Sequence, residues 1–533
     1  MSYQRFGVML DCSRNSVMKP SEIKKFIDVI VSLGYNCLQL YMEDTYAVKE
    51  QPYFGFMRGK YTKEEIQDVD AYAREKGVEL MPCMQTLAHF SCFRKNFAMR
   101  ELFDVGEILL VEDEKVYAFL DDCFRALSEM FSSKLINIGM DEAHLLGAGR
   151  YLKQHGYVPK LEILTKHLQR VTEIAEKYGF EVQMWSDMFF RPINNGGYYG
   201  KDLHIPEHIR KIIPKNVALA YWDYTTVDEE LYESMFQSHL ETEREIWFMG
   251  GAWTWMGFAP LNKHALLALK PAMQAVRKHG IQNVVVTLWG NDGNECSVYS
   301  ALPTLYATRM YADGIFDEDE IKRGFEKITG IAFDDYMAVD LPNDFDIYRK
   351  NVTGYPENPS KWALYQDCFQ GLFDADLKNR GPISYDKHAE KLYGLIPKFG
   401  EYGYVIRVLA DLCAVLDKKA CLGLRTRDAY EKGDKQALRK LIEDYEEVVA
   451  RLQPLYQSFY ELWHKENKSF GWEVQDARLG GLERRIKTCA QMLREYLDGK
   501  RERIEELEEP LLSTTEEDLV DNCYANIFSR GVV

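Results

Sequence analysis

Several features are missing from this chain of 533 residues, and each absence removes a class of protein. No two cysteines sit at CxxC spacing and no Cys/His cluster has zinc-site spacing, although the chain holds 11 Cys and 11 His. A structural zinc module and a redox dithiol are therefore not expected, and no metal or other cofactor is. Scattered thiols in odd number read as reduced cysteine, so the expected compartment is the cytoplasm. No run of about 18 apolar residues is present to cross a bilayer. The opening "MSYQRFGVMLDCSR" has no basic segment leading into an apolar stretch and a cleavage site. Neither export nor a membrane partner is expected. Excess positive charge is lacking too: 66 Lys and Arg stand against 83 Asp and Glu, for a formal net charge of −17. An acidic surface repels phosphate backbones, which argues against a nucleic-acid partner.

What is there is a patterned globular chain. Hydrophobic residues make up 46% of it and charged residues 28%. Its length exceeds what one core supports, so two domains are expected. Eight short apolar runs punctuate the first 300 residues: "FGVML" (6–10), "NCLQLY" (36–41), "VELMPCM" (78–84), "KLINIG" (134–139), "FEVQMW" (180–185), "NVALAYW" (216–222), "EIWFMGG" (245–251) and "NVVVTLW" (283–289). Near-continuous apolarity suits strands buried on both faces of a parallel sheet. Helical patterns lie between them. One runs over 20–34, with Pro20 at its start and Gly34 at its end. Another runs over 62–77, with Thr62 and Glu65 at capping-box spacing. Eight strand–helix units predict a (β/α)8 TIM barrel over 1–311, with an open doubly wound sheet as the competitor. From 312 to 533 β-like runs vanish and long helical patterns such as 437–466 and 480–509 predict an all-α helical domain. The charge-dense stretch 499–509 reads as a solvated helix face, and 341–360 reads as a loop.

In a (β/α)8 barrel the site lies at the C-terminal ends of the strands. The residues following the eight runs are therefore the candidates. They are Asp11; Tyr41, Glu43 and Asp44; Gln85 and His89; Asp141 and Glu142; Trp185 and Asp187; Tyr221, Trp222, Asp223 and Tyr224; Trp253 and Trp255; Trp289, Asn291, Asp292 and Glu295. Indole faces suit the C–H faces of sugar rings, and carboxylates accept from sugar hydroxyls. Paired carboxylates are also what glycoside hydrolysis uses. By itself, Asp141-Glu142 also fits a helix N-cap followed by a first-turn acid.

The motifs taken in order resemble those of glycoside hydrolase family 20, the β-N-acetylhexosaminidases. "NIGMDEA" (137–143) resembles the family's Asp-Glu motif at the end of the fourth barrel strand. "GVMLDCSR" (7–14), "MPCMQTLAH" (81–89), "MWSD" (184–187) and "TLWG" (287–290) resemble its first-, third-, fifth- and eighth-strand motifs. The resemblance covers about residues 5–300. It is to the bacterial branch with a helical C-terminal domain, without the small α/β domain that precedes the barrel in many members.

The resemblance implies a retaining exo-enzyme that removes terminal β-linked GlcNAc or GalNAc, with the substrate's own 2-acetamido oxygen as nucleophile. Glu142 is then the acid and later the base, and Asp141 orients the acetamido group. Asp44, His89, Trp185, Trp222, Tyr224, Trp253, Trp289, Asp292 and Glu295 are expected to contact the sugar. Tyr221 rivals Tyr224, and His89 serves equally well as a structural neighbour. Glu43 is expected to face away. Many members carry Arg in the slot held here by Phe6. Arg14, or Arg478 from "SFGWEVQDARLGGLERR" (469–485), in the same chain or across a homodimer, is a candidate to replace that charge. Two other readings are a catalytically silent sugar-binding protein, and a glycosidase for unacetylated sugars with Asp223 or Glu295 as nucleophile. A glycan or amino sugar is the expected partner in all three.

Overall fold

A computed structural model describes residues 3–344, 358–375, 378, 383–512 and 523–531. Eight parallel strands close into a barrel in sequential order. They are β1 (Arg5–Asp11), β2 (Cys37–Met42), β3 (Glu79–Met84), β4 (Leu135–Asn137), β5 (Glu181–Trp185), β6 (Val217–Trp222), β7 (Ile246–Gly251) and β8 (Asn283–Leu288). β8 pairs back onto β1, with Arg5 opposite Asn283 and Leu10 opposite Leu288, so the sheet has no free edge and the open-sheet alternative is set aside. Each predicted run is a strand to within a few residues. β4 is the shortest and meets β3 only at Cys83 and Asn137, because its chain turns away early to present the Asp-Glu pair.

The helices alternate with the strands. α1 (Pro20–Ser32) begins at Pro20, whose missing N–H costs nothing in a first turn, and Gly34 follows its end at φ +88°. α2 (Lys63–Glu75) opens on the expected capping box: the Thr62 side chain accepts from Glu65 N, and the Glu65 side chain accepts from Thr62 N. α3 (Glu114–Met130), α4 (Lys160–Lys177), α5 (Glu229–Leu240), α6 (Asn262–His279) and α7 (Leu302–Asp313) continue the outer ring, and the short helix Glu207–Ile212 fills the place between β5 and β6. A polar layer crosses the barrel interior beneath the site. The Gln183 carbonyl accepts from the amides of Gln39 (3.4 Å) and Asn137 (2.9 Å).

Helices alone follow the barrel among the described residues. The longest are α8 (Gly403–Lys419), α9 (Lys435–Glu466) and α10 (Trp472–Leu497). The pattern read over 480–509 breaks sooner than expected: α10 stops at Leu497, Gly499 takes φ +74°, and only Glu505–Glu508 is helical again. Conversely, α10 runs unbroken through the paired glycines 480 and 481. Most of the loop expected over 341–360 falls outside the described residues. No helix among the described residues is long and apolar enough to cross a membrane. The helical part is stitched to the barrel by an antiparallel bridge between Met18 and Asn467, and by Lys468 N donating to Val17 O at 2.8 Å.

Candidate active site

The chain leaves β4 through a run of left-handed backbone: Gly139 at φ +72°, Met140 at +70° and Glu142 at +51°. Such conformations are uncommon away from glycine and persist only where the surroundings hold them. Here they are held. Asn137 accepts from Gly139 N at 2.8 Å, and the Gln85 carbonyl accepts from Met140 N at 3.4 Å. A Cβ on Gly139 would sit 2.1 Å from that Gln85 oxygen, so only glycine fits. Asp187 Oδ2 accepts from Glu142 N at 3.2 Å and is itself anchored by Arg191 Nε at 2.9 Å. The next helix does not begin until Arg150, which overturns the helix-cap reading of the pair.

The two carboxylates consequently meet different surroundings. Asp141 is buried; its Oδ1 accepts from Gln85 Nε2 at 3.0 Å and its Oδ2 lies 3.2 Å from His89 Nε2. That His89 contact is an ion pair rather than an aligned hydrogen bond, since the N–H does not point along it. Burial opposes charge on Asp141, but His89 and Gln85 outweigh it and hold the carboxyl below the ordinary aspartate range. His89 shows the reciprocal effect. Burial disfavours its charge, yet Asp141 raises it to about 9, so the ring is an imidazolium at neutral pH. Glu142 has 43% of its side chain exposed. Desolvation and the Asp141 charge both raise its proton affinity. Adjacent residues thus become a fixed anion and a group inclined to hold a proton, the separation that acid catalysis beside an anion requires. His89, Asp141 and Glu142 also bring one ligand atom each within 4.8 Å of one another, a spacing that could hold a cation. The proton on His89 supplies positive charge there.

A cavity of about 600 Å³ opens above the pair, of a size that takes small ligands. Trp185, Trp222, Tyr224 and Trp289 line it as expected, and so does His89. Among the described residues the buried indole N–H groups of Trp185, Trp222 and Trp289 have no hydrogen-bond partner, leaving three donors for ligand oxygens. Trp222 stacks on Tyr224 at 5.5 Å.

Other expected residues lie elsewhere. Trp253 is fully buried behind the wall, where its Nε1 donates to Tyr224 O at 2.7 Å; Trp255 takes the cavity position in its place. Gly251 makes room for this arrangement, since a Cβ there would meet Trp255 at 2.7 Å and Tyr224 at 2.8 Å. Tyr221 is buried and donates to Asp223 Oδ2 at 2.9 Å, while Asp223 Oδ1 caps the backbone of Thr225 and Thr226. Both are structural. Glu295 is buried between Lys361 (3.1 Å) and Arg478 (3.0 Å). Glu43, expected to face away, lines the cavity and pairs with Arg14 Nε at 2.8 Å, whereas Asp44 pairs with Arg58 at 3.3 Å to one side. Asp44, Asp292 and Arg478 instead line a second cavity of about 390 Å³ next door.

Arg478 therefore does not replace a charge at Phe6. Phe6 is packed between Tyr3 and Tyr35 at the opposite end of β1, and the guanidinium on the main cavity wall is that of Arg14. What Arg478 does is hold the loop after β8. Its Nη2 meets Asp292 Oδ1 at 2.8 Å; Lys361 Nζ donates to Asp292 O at 2.8 Å; Tyr524 N donates to Asp292 Oδ2 at 2.7 Å; Gln475 donates to Gly293 O at 2.8 Å. Residues of the helical part thus fix the loop that carries Trp289 and Asn291.

Arg14, the expected candidate for the missing charge, completes the cavity wall together with Glu43, Ser91, Tyr199, Thr225, Trp255 and Asn291, which were not among the expected sugar contacts. Arg14 and Glu43 had a readable signal, standing just past the ends of β1 and β2. Tyr199 had none, lying in a loop 14 residues beyond Trp185.

A closed barrel whose strand ends gather two electrostatically distinct carboxylates under an indole-lined cavity defines a protein of the glycoside hydrolase class. Comparison with known families is more specific. Residues 3–249 match the glycosyl hydrolase family 20 catalytic domain, and residues 334–524 match the Glycoside Hydrolase 20C C-terminal domain. The chain belongs to glycoside hydrolase family 20. Among curated relatives, a beta-hexosaminidase of Akkermansia muciniphila is 25% identical over 168 residues, covering 26% of this chain and 34% of that protein. Human hexosaminidase D is 23% identical over 346 residues, covering 59% and 67%. The match thus spans about a third of the first relative's length. A β-N-acetylhexosaminidase structure from Bacteroides fragilis superposes with a TM-score of 0.48 at 15% identity, covering 62% of this chain and 70% of that one.

Proposed function

We propose that the protein is a retaining exo-β-N-acetylhexosaminidase acting on terminal β-linked GlcNAc or GalNAc. The observation that carries this reading is the unequal pair at the end of β4: buried Asp141, bound to Gln85 and 3.2 Å from His89, has its proton affinity lowered, and Glu142, open to the cavity beside that charge, has its proton affinity raised. Glu142 protonates the departing glycosidic oxygen. The 2-acetamido oxygen attacks C1 as that bond breaks, and Asp141 accepts from the acetamido N–H and stabilises the positive oxazolinium. Water, deprotonated by Glu142, then attacks C1 from the face the leaving group left and breaks the bond from C1 to the acetamido oxygen, so two inversions give net retention.

The remaining cavity carboxylate, Glu43, is tied to Arg14 and accepts from Tyr41 OH at 3.2 Å. Asp223 and Glu295 are consumed in structural contacts. This supports a nucleophile brought by the substrate rather than one supplied by the protein. The eight buried cysteines, Cys37 and Cys413 among them, form no disulfide among the described residues, which suits a reducing cytoplasm. The test is hydrolysis of matched aryl β-glycosides of GlcNAc, GalNAc and glucose. Turnover of the first two with little on the glucoside is expected; comparable activity on the glucoside, which has no acetamido group, overturns the reading.

A further inference from the structure

Asp187 is a strand-end carboxylate that the reaction scheme leaves without a task. Its side chain is fully buried at the end of β5 and does not line the main cavity. One oxygen, Oδ2, accepts from Glu142 N at 3.2 Å and from Arg191 Nε at 2.9 Å. The other, Oδ1, is enclosed and has no hydrogen-bond partner among the described residues. Enclosing a carboxylate with one oxygen idle costs stability rather than adding to it. What the arrangement supplies is position.

One side of the contact is rigid. Just before Asp187, Ser186 Oγ lies 2.7 Å from Tyr198 OH and 2.8 Å from His239 Nε2. Just after it, the helical turn Asp187–Phe190 is buried throughout, and Phe190 stacks on His239 at 4.1 Å. The turn brings Arg191, four residues on, back beside Asp187. Arg191 Nη1 in turn donates to Gly196 O at 3.1 Å, which ties the pair to the loop leading to Tyr199 on the cavity wall. The other side has no such scaffold. Glu142 stands at φ +51° after Met140 at +70°, with no helix before Arg150. Backbone of that kind keeps its direction only while its surroundings hold it. The bond from Glu142 N ties the acid's own backbone to the end of the neighbouring strand.

Direction matters because a proton is delivered along one line, and a misplacement of about 1 Å can cost about 10²-fold in rate. We propose that Asp187, locked by Arg191, is the positioning residue of the general acid. It aims Glu142 at the departing oxygen and afterwards at the attacking water, and it does not bind the sugar. The proton passes from Glu142 to the departing oxygen and from water back to Glu142; Asp187 neither gives nor takes one.

This inference rests on the proposed activity, and kcat/KM on aryl β-glycosides of GlcNAc with leaving groups of graded acidity separates the two. Asp187→Ala removes the acceptor that aims the acid. Its loss should be about 10²-fold for a poor leaving group and less than about fivefold for an activated phenol, which needs little protonation. Asp187→Asn keeps an acceptor of the same shape for Glu142 N and should recover about tenfold of that loss. With Glu142→Gln already in place, Asp187→Ala should change kcat/KM by less than about twofold, because no acid is left to aim. Arg191→Gln frees Asp187 from its anchor and should give the same leaving-group pattern at about tenfold; it decides the matter if Asp187→Ala does not fold. Equal loss with good and poor leaving groups, or a full further loss in the Glu142→Gln background, overturns the inference and makes Asp187 a structural residue. Glu142→Gln without any leaving-group dependence overturns the proposed role of Glu142, and the positioning role with it.

Discussion

At the scale of single residues, two neighbours in one loop are made chemically different by what each touches. Asp141 faces a cation and an amide, and Glu142 faces Asp141 and the cavity mouth. Their substitutions should therefore fail differently. Glu142→Gln removes the proton donor, so its loss should depend on the leaving group: about 10²–10⁴-fold for a natural glycan and much less for an activated phenol. Asp141→Asn removes the charge that stabilises the forming oxazolinium, and should cost about 10²–10³-fold with good and poor leaving groups alike. Steady-state kinetics on a series of aryl glycosides checks both, and equal leaving-group dependence in the two variants would show that the roles are not separate. The pH profile follows from the same contacts. Glu142 must be protonated to act, and the Asp141 charge raises its proton affinity, so activity should fall on the basic side as Glu142 ionises. Neutralising Asp141 lowers that affinity, and the basic limb of Asp141→Asn should move to lower pH.

At the scale of elements, the loop after β8 is the point where the helical part reaches the chemistry. It carries Trp289 and Asn291 on one side, and Asp292 and Glu295 are clamped by Lys361, Arg478 and Tyr524 on the other. Removing one partner of a buried ion pair strands the other, at a typical cost of about 3–5 kcal/mol. Lys361 remains to share the charge, so Arg478→Ala should fall at the lower end. The expected result is a lower melting temperature together with a kcat/KM reduced by roughly tenfold, because the cavity wall loses its register. Arg478→Lys should recover part of the stability but not the bidentate hold. Melting curves and kinetics on the same samples decide it: unchanged kcat and KM in Arg478→Ala would confine Arg478 to packing.

Across the whole molecule, the junction between barrel and helices holds a deeply buried acid. Glu466, the last residue of α9, is fully enclosed and accepts from Ser297 Oγ at 2.6 Å and Tyr404 OH at 2.8 Å. Burial lifts it to about 7 from an ordinary value of 4.5. A folded-state affinity above the unfolded one means that its stabilising share is complete below about pH 4.5 and is lost as pH rises through about 7. Glu466→Gln keeps an acceptor for both hydroxyls and has no proton to lose. Its stability relative to wild type should therefore improve steadily between pH 5 and pH 8, measured by denaturant unfolding at each pH. A constant difference across that range contradicts a neutral Glu466 at the junction.

Much of this was determined by the sequence alone. Eight near-continuous apolar runs with helical spacers specify a barrel because strands covered on both faces must be apolar throughout. The capping box at Thr62, the Pro20 start and the position of Asp141-Glu142 at the end of the fourth strand were legible for equally local reasons. Tertiary structure alone decided which of two neighbours faces the cavity: Glu43 rather than Asp44, Trp255 rather than Trp253, Tyr224 rather than Tyr221. It also decided that Arg14 stands on the main wall while Arg478 clamps a loop. The physical reason is common to these cases. Inside a strand, side chains alternate between faces and can be counted. Past the strand end that period lapses, and left-handed turns at His89, Met140, Glu142, Trp253 and Asn291 re-aim the side chains. Those turns are imposed by contacts with residues far away in the chain, such as Gln85 and Asp187 against the β4 loop, and no local pattern encodes them.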